Sequence, residues 1–161
     1  MSELAFLSVD RARAGNGFEP VAASPLRRAL EHADWIRDLS LVPKLEARGD
    51  IATLDAGDAE VVPITRRRAL AFGDAAVRER LREQGYFVTD VTGALAGLEL
   101  RGKPLMRRLT DLDLDELPAV GAVARVPALV LREGESFRLF VPQEYGHYLV
   151  EVVIDAAEGL T

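Results

Sequence analysis

Few residues of this chain belong to the types that do chemistry, so the first question is whether any are spaced to act together. There are two histidines, His32 and His147, and no cysteine. Without a thiol there is no disulfide, zinc–thiolate site, iron–sulfur ligation or cysteine nucleophile. An imidazole titrates near neutral pH and can serve as acid or base, but His147 falls two positions after Tyr145, off the apolar face of its segment, and is expected at the surface or against a partner. Asp111, Asp113, Asp115 and Glu116 crowd the hard oxygens that calcium prefers. A calcium loop counted from Asp111 needs glycine at its sixth place and glutamate at its twelfth, where this chain has Glu116 and Ala122. Alternation with Leu112 and Leu114 fits an extended segment with leucines inward and carboxylates in water instead. No metal site is expected.

Asp38 and Asp90 each stand two positions before a hydroxyl residue, Ser40 and Thr92. Paired carboxylates suit general-base work, yet backbone capping at strand ends gives the same pattern more simply. Tyr145 and Tyr148, one helical turn apart, would offer a stacking wall to a flat ring or to a partner surface. Arg107 and Arg108, like Arg66, Arg67 and Arg68, would grip carboxylates of a ligand or an acidic partner through bidentate guanidinium contacts, although a solvated turn explains residues 66–68. Trp35 is expected to anchor the core. No glycine-rich loop of the dinucleotide or phosphate type is present, since Gly15-Asn-Gly17 is too short for either. No catalytic residue is assigned.

The elements that position these residues belong to a chain of 161 residues, of which 48 % are apolar and 29 % charged, enough for one domain with a real core. A net charge of −6 argues against nucleic acid. No run of residues is long and apolar enough for a membrane span, and the first residues lack the pattern of a secretory signal, so a cytoplasmic location is expected. Residues 1–24 read as an extended arm, and 25–161 as a single domain. Ser24-Pro25 fits the start of a short helix to about Ala33. Strand-like text follows from Trp35 to Val42, with Pro43 marking an edge or bulge before Leu45-Glu-Ala-Arg-Gly49. Two short strands, 60–65 and 69–72, flank the arginine turn, and Asp74 caps a helix over 75–84 that Gly85 stops. Strands at 86–90 and 94–101 precede a short helix from Pro104 to Leu109. Residues 121–132 and 137–141 read as a hairpin around Glu133-Gly134-Glu135. Pro142 opens the last helix, whose Tyr145, Tyr148, Leu149, Val152, Val153 and Ala156 form its buried face.

One unit of this order occurs twice. Ile36-Arg-Asp-Leu-Ser40 followed by Leu45-Glu-Ala-Arg-Gly49 parallels Val88-Thr-Asp-Val-Thr92 followed by Leu98-Glu-Leu-Arg-Gly102. The expected fold is therefore α+β, built from duplicated ββαββα-type units with mainly antiparallel strands and helices on one side. Copy one covers about 35–85 and is abridged after Gly49; copy two covers about 86–158.

Residues 88–102, Leu109-Thr-Asp-Leu-Asp-Leu114 and Phe137-Arg-Leu-Phe-Val-Pro-Gln-Glu-Tyr-Gly-His-Tyr-Leu149 resemble the gamma subunit of heterotetrameric sarcosine oxidase. That family is itself similar to the folate-binding domain of the glycine-cleavage T-protein, an aminomethyltransferase. Ala59-Glu-Val-Val-Pro-Ile-Thr65 and Ala69-Leu-Ala-Phe72 agree in order and spacing, so the resemblance spans roughly residues 35–157. It implies a non-catalytic subunit in a flavoenzyme complex that demethylates sarcosine or a related N-methyl amine. It also implies no cofactor on this chain, with flavin, NAD and tetrahydrofolate carried by larger flavin- and dinucleotide-binding partner subunits. The alternative it leaves open is a stand-alone tetrahydrofolate-binding protein or aminomethyltransferase-like enzyme, in which Tyr145 and Tyr148 would stack on a pterin and Arg107 and Arg108 would take a polyglutamate tail. The chain departs from a tRNA-modifying branch of that superfamily, whose motif contains a cysteine, and it lacks the extra C-terminal region of the T-protein.

Overall fold

The alternating apolar residues sort into two antiparallel sheets in the computed structural model, which describes residues 23–160. The arm expected over residues 1–24 lies almost wholly outside them. The strands are β1 (Arg37–Asp38), β2 (Lys44–Arg48), β3 (Glu60–Thr65), β4 (Arg68–Phe72), β5 (Phe87–Asp90), β6 (Leu95–Arg101), β7 (Ala119–Val123), β8 (Val126–Glu133) and β9 (Ser136–Pro142). The helices are α1 (Ala75–Glu83), α2 (Lys103–Leu109) and α3 (Gly146–Glu158). One sheet has the order β1-β6-β9-β8-β7, the other β3-β4-β2-β5. The fold is α+β, and all strand pairs are antiparallel.

The topology turns on two short strands that change sides. β1 leaves its neighbours in sequence to pair with β6, and β5 pairs with β2. Each crossing is fastened in the same way. Asp38 Oδ1 accepts the Ser40 amide at 2.8 Å, and Asp90 Oδ1 accepts the Thr92 amide at 2.9 Å. The Ser40 hydroxyl accepts the Gly97 amide at 3.2 Å and donates to the Gly97 carbonyl at 3.4 Å. Thr92 Oγ1 likewise accepts the Lys44 amide at 2.9 Å and faces its carbonyl at 3.5 Å. Two further amides complete the match, Leu39 to the Gly97 carbonyl at 2.8 Å and Val91 to the Lys44 carbonyl at 2.9 Å. The paired carboxylates thus order backbone turns, as side-chain capping predicts.

Three apolar clusters follow from the two faces of each sheet. α2 and α3 bury Met106, Leu109, Leu149 and Val153 against Leu98, Leu100, Val130 and Leu139. α1 buries Leu81 against Leu45, Ala47, Ala71 and Val88 of the other sheet. The opposite faces meet through Leu39, Val62, Leu70, Leu129, Leu131 and Phe140. The order is therefore helix, sheet, sheet, helix, with helices on one side of each sheet. Close approach is bought with glycine at two places: a Cβ on Gly146 would lie 2.7 Å from a Leu26 methyl carbon, and one on Gly97 would lie 2.8 Å from the Phe140 ring.

Asp74 caps α1 by accepting the Ala76 and Val77 amides, and Gly85 ends it at φ +87°. Other expectations are corrected. Ser24 Oγ accepts the Leu26 amide at 3.0 Å as an N-cap should, but residues 25–32 form turns rather than an α-helix, because the backbone bonds that follow mix three-residue spacings, as in Glu31 to Arg28, with the four-residue one of Leu30 to Leu26. The stretch Trp35–Val42 contributes only the two residues of β1; Trp35, Leu41 and Val42 are exposed, so Trp35 is not a core anchor. Residues 121–132 are not one strand. The chain reverses at Ala124 and Arg125, φ +49° and +67°, a turn normally flagged by Asn-Gly and so invisible in this pair. Residues 111–116 turn instead of running extended, since Asp113 Oδ1 takes the Asp115 amide, although Leu114 does point inward. The last helix begins at Gly146, after one 3-10 turn at Gln143–Tyr145. It buries Gly146, Leu149, Val150 and Val153, and leaves Tyr145 and Tyr148 exposed.

Candidate binding site

The two Leu-Glu-x-Arg-Gly stretches become β2 and β6, and each places a glutamate and an arginine on the face turned toward the other sheet. Ladder partners define matched positions. Lys44 faces Phe72 on β4, and Gly97 faces Phe140 on β9; Glu46 faces Leu70, and Glu99 faces Arg138; Arg48 faces Arg68, and Arg101 faces Ser136. Phe72 and Phe140 meet with ring centroids 5.0 Å apart. On either side of this aromatic contact the sheets leave a concavity.

The first concavity, about 490 Å³, has Arg37, Glu99, Arg101, Glu133, Ser136 and Arg138 on its walls. Arg138 crosses to the other sheet and holds Glu60 in a bidentate pair at 2.6 and 2.8 Å, which raises its already high pKa. Among the described residues Glu99 makes its ion pair with Arg37 at 3.4 Å, a side chain that is 75 % exposed, and its charge also acts on Arg138 opposite it. Arg101 makes no hydrogen bond or ion pair with any described residue.

The second, about 380 Å³, is mainly apolar and contains Ile64, Leu70, Val91, Leu95, Leu129 and Phe140. Glu46 and Arg68 stand at its polar edge. Glu46 is buried and takes Arg48 Nε on one oxygen at 2.6 Å and Arg68 Nε and Nη2 on the other at 2.7 and 2.6 Å. Two guanidinium groups therefore share one carboxylate, leaving the cluster at a formal +1.

Lys44 lies between these regions and is fully buried. Its ammonium donates to the carbonyls of Val42, Ser40 and Leu39 at 2.7, 2.8 and 3.3 Å and sits 5.7 Å from the centre of the Phe140 ring. Burial pushes its pKa down to about 8, opposed by the nearby charges of Asp38 and Asp90. With all three donors satisfied, this amine ties down the loop after β1 and is not a free nucleophile.

No family model matches this sequence, and no curated protein does. Among solved structures, a chain of the heterotetrameric sarcosine oxidase from Corynebacterium sp. U-96, determined in complex with pyrrole 2-carboxylate, superposes with TM-score 0.71 at 19 % identity. The match covers 87 % of this chain and 96 % of that one. The chain has the fold of a sarcosine oxidase subunit. The regulatory subunit of aspartate kinase from Thermus thermophilus reaches TM-score 0.44 at 14 % identity, over 75 % of this chain and 96 % of that one, a likeness too low to bear on the fold.

Within this sarcosine oxidase fold, Tyr145, Tyr148, Arg107 and Arg108 are all exposed. None of the four lines either concavity. The Tyr148 hydroxyl donates to the Ala124 carbonyl at 3.2 Å, and Arg108 Nη1 donates to the Ala156 carbonyl at 3.3 Å, two turns further along α3. His147 faces water beside Glu151, Nε2 to Oε1 3.2 Å. Arg66 and Arg67 form an exposed turn, whereas Arg68 belongs to β4 and serves Glu46. Within the acidic run, Asp115 meets Lys103 at 2.7 Å and Arg132 at 3.0 Å, which hold its carboxyl below the usual range. No metal-binding cluster occurs among the described residues. Likewise, none of the described helices is long and apolar enough to cross a membrane. Lys44 and the Glu46 cluster were missed from sequence. The signal for Glu46 is the repeated Leu-Glu-x-Arg-Gly, which marks the repeat and also a charge pair facing the opposite sheet; Lys44 lies just outside that motif.

Proposed function

We propose that the chain is a non-catalytic, gamma-type subunit of a heterotetrameric, sarcosine-oxidase-like flavoenzyme. Its duplicated unit serves assembly, while larger partner subunits carry flavin, NAD and tetrahydrofolate and oxidatively demethylate sarcosine or a related N-methyl amine in the cytoplasm. The observation that carries this reading is the superposition at TM-score 0.71 over 96 % of a chain of such a heterotetramer. Exposed apolar side chains support it: Trp35, Leu41, Val42, Phe87, Tyr145 and Tyr148 face water in the isolated chain. A stable interface buries about 1,200 Å² or more in total, and aromatic residues are its usual anchors.

The test is an affinity pull-down of the tagged chain from the cells that produce it, with a visible absorbance spectrum of the eluate. Stoichiometric recovery of larger chains with flavin absorbance is the expected result. A chain that emerges alone and colourless overturns the subunit reading, and titration with a reduced folate then tests the stand-alone alternative.

A further inference from the structure

We infer that the apolar concavity between the sheets binds a small amphiphilic carboxylate, with its apolar body against Leu70, Leu95, Leu129 and Phe140 and its anionic head on Arg68. The volume, about 380 Å³, lies in the range of small-molecule sites, and an apolar wall with few convergent polar groups is their usual composition. Charge selects the head group. Glu46 supplies one negative charge and Arg48 with Arg68 supply two positive ones, so an arriving monocarboxylate brings the cluster to neutrality. Arg68 uses Nε and Nη2 on Glu46, which leaves Nη1 to donate to a second carboxylate. A cation would meet the excess positive charge, and a neutral apolar molecule would leave it unanswered. Val120, 57 % exposed on the rim, is apolar surface that such a ligand would cover. The matched concavity on the other side of the aromatic contact lacks this design, its walls being charged. The site belongs to the chain itself and would fill whether or not partner subunits are present.

Octanoate is a suitable probe, with octan-1-ol as its neutral counterpart, followed through the side-chain methyl NMR signals of the full chain. Octanoate should shift the methyls of Leu70, Val91, Leu95 and Leu129 saturably, and octanol should bind about tenfold more weakly. Arg68→Gln should reduce octanoate to the level of octanol, while Arg68→Lys, which keeps the charge, should recover part of the difference. Ala94→Phe, at the exposed mouth, should block both probes in a folded chain whose charge cluster is intact. Equal affinity for octanol and octanoate overturns the assignment. So does a non-saturating response spread over the methyls of Leu41 and Leu160, exposed residues outside the concavity, the sign of non-specific surface binding only. Absence of any methyl shift overturns it too, and leaves the concavity to an apolar side chain of a partner protein.

Discussion

The two concavities occupy matched places in the two sheets yet do opposite things with the same starting material. β2 and β6 both carry Leu-Glu-x-Arg-Gly, and both present the glutamate and arginine toward the opposing sheet. On β2 the pair closes: Glu46 is buried, and Arg68 on the neighbouring strand completes it. On β6 the place of Arg68 is taken by Ser136, and Arg101 is left without a partner among the described residues. Leu70 and Arg138 are exchanged in the same sense, which makes one wall apolar and the other charged. The chemistry of each recess is therefore set by the neighbouring strand, β4 or β9, and not by the repeated motif.

The largest test of that contrast is removal of the two glutamates. Glu46→Ala removes a buried carboxylate from two half-exposed guanidinium groups that can rehydrate, and should cost about 2 to 3 kcal/mol, the scale of its charge-assisted hydrogen bonds. Glu99→Ala loses a long contact to an exposed Arg37 and should cost less than about 1 kcal/mol. Urea unfolding of both variants reads the difference, and equal losses would mean that the motif itself, and not its surroundings, sets the energetics.

Next in size is Lys44, which stands where the other half has Gly97. Lys44→Met leaves the Leu39, Ser40 and Val42 carbonyls without their donor and should destabilise the chain by about 2 kcal/mol at pH 7. Its pKa is lowered on folding, so below pH 8 the amine is charged in both states and the burial penalty is present in full. Between pH 8 and 10.5 the unfolded chain keeps a proton that the folded chain has released, and stability rises with pH. The gap between wild type and Lys44→Met should therefore widen, by at most about 3 kcal/mol, from pH 7 to pH 10.5. A gap that stays constant would mean that the carbonyl contacts hold the pKa near its ordinary value.

What the sequence disclosed follows the same division. Several local signals were sound: Asp74 and Gly85 bound α1, Pro104 opens α2, and β3 covers the 60–65 expected as a strand, although Ser24-Pro25 did not start a helix. Relations between distant strands were not legible. Nothing in Trp35–Val42 announces that β1 pairs across the molecule, so Trp35 looked like core although its neighbours had left for the other sheet. A buried lysine was equally hidden, because only tertiary structure brings three carbonyls around Nζ. The site failed to show for the same reason: Arg68 and Glu46 lie on different strands, and the apolar wall draws on both sheets.

Where the two halves are alike, substitution should reveal no contrast. Ser40→Ala and Thr92→Val each remove a hydroxyl that bonds the backbone of the opposite crossing, and each should cost about 1 kcal/mol. Thermal unfolding of the two variants and of the double variant checks whether the crossings act separately, and losses differing by more than about 1 kcal/mol would show the fastening to be unequal.

The smallest effect separates the two arginines of the motif. Arg48→Gln removes one of the two cations on buried Glu46; Arg68 remains, so the loss should be about 1 kcal/mol. Arg101→Gln removes a guanidinium that bonds nothing among the described residues and should change stability by no more than about 0.5 kcal/mol. If the two losses were equal, Arg101 would have a partner in solution, with Glu133 the first candidate, two strands away on the same wall. The double variant Arg101→Gln, Glu133→Gln decides this, because a real pair makes the double loss smaller than the sum of the single ones. With no such coupling, Arg101 is a cation held open beside a charged recess, and the repeated motif has one half that satisfies itself and one that does not.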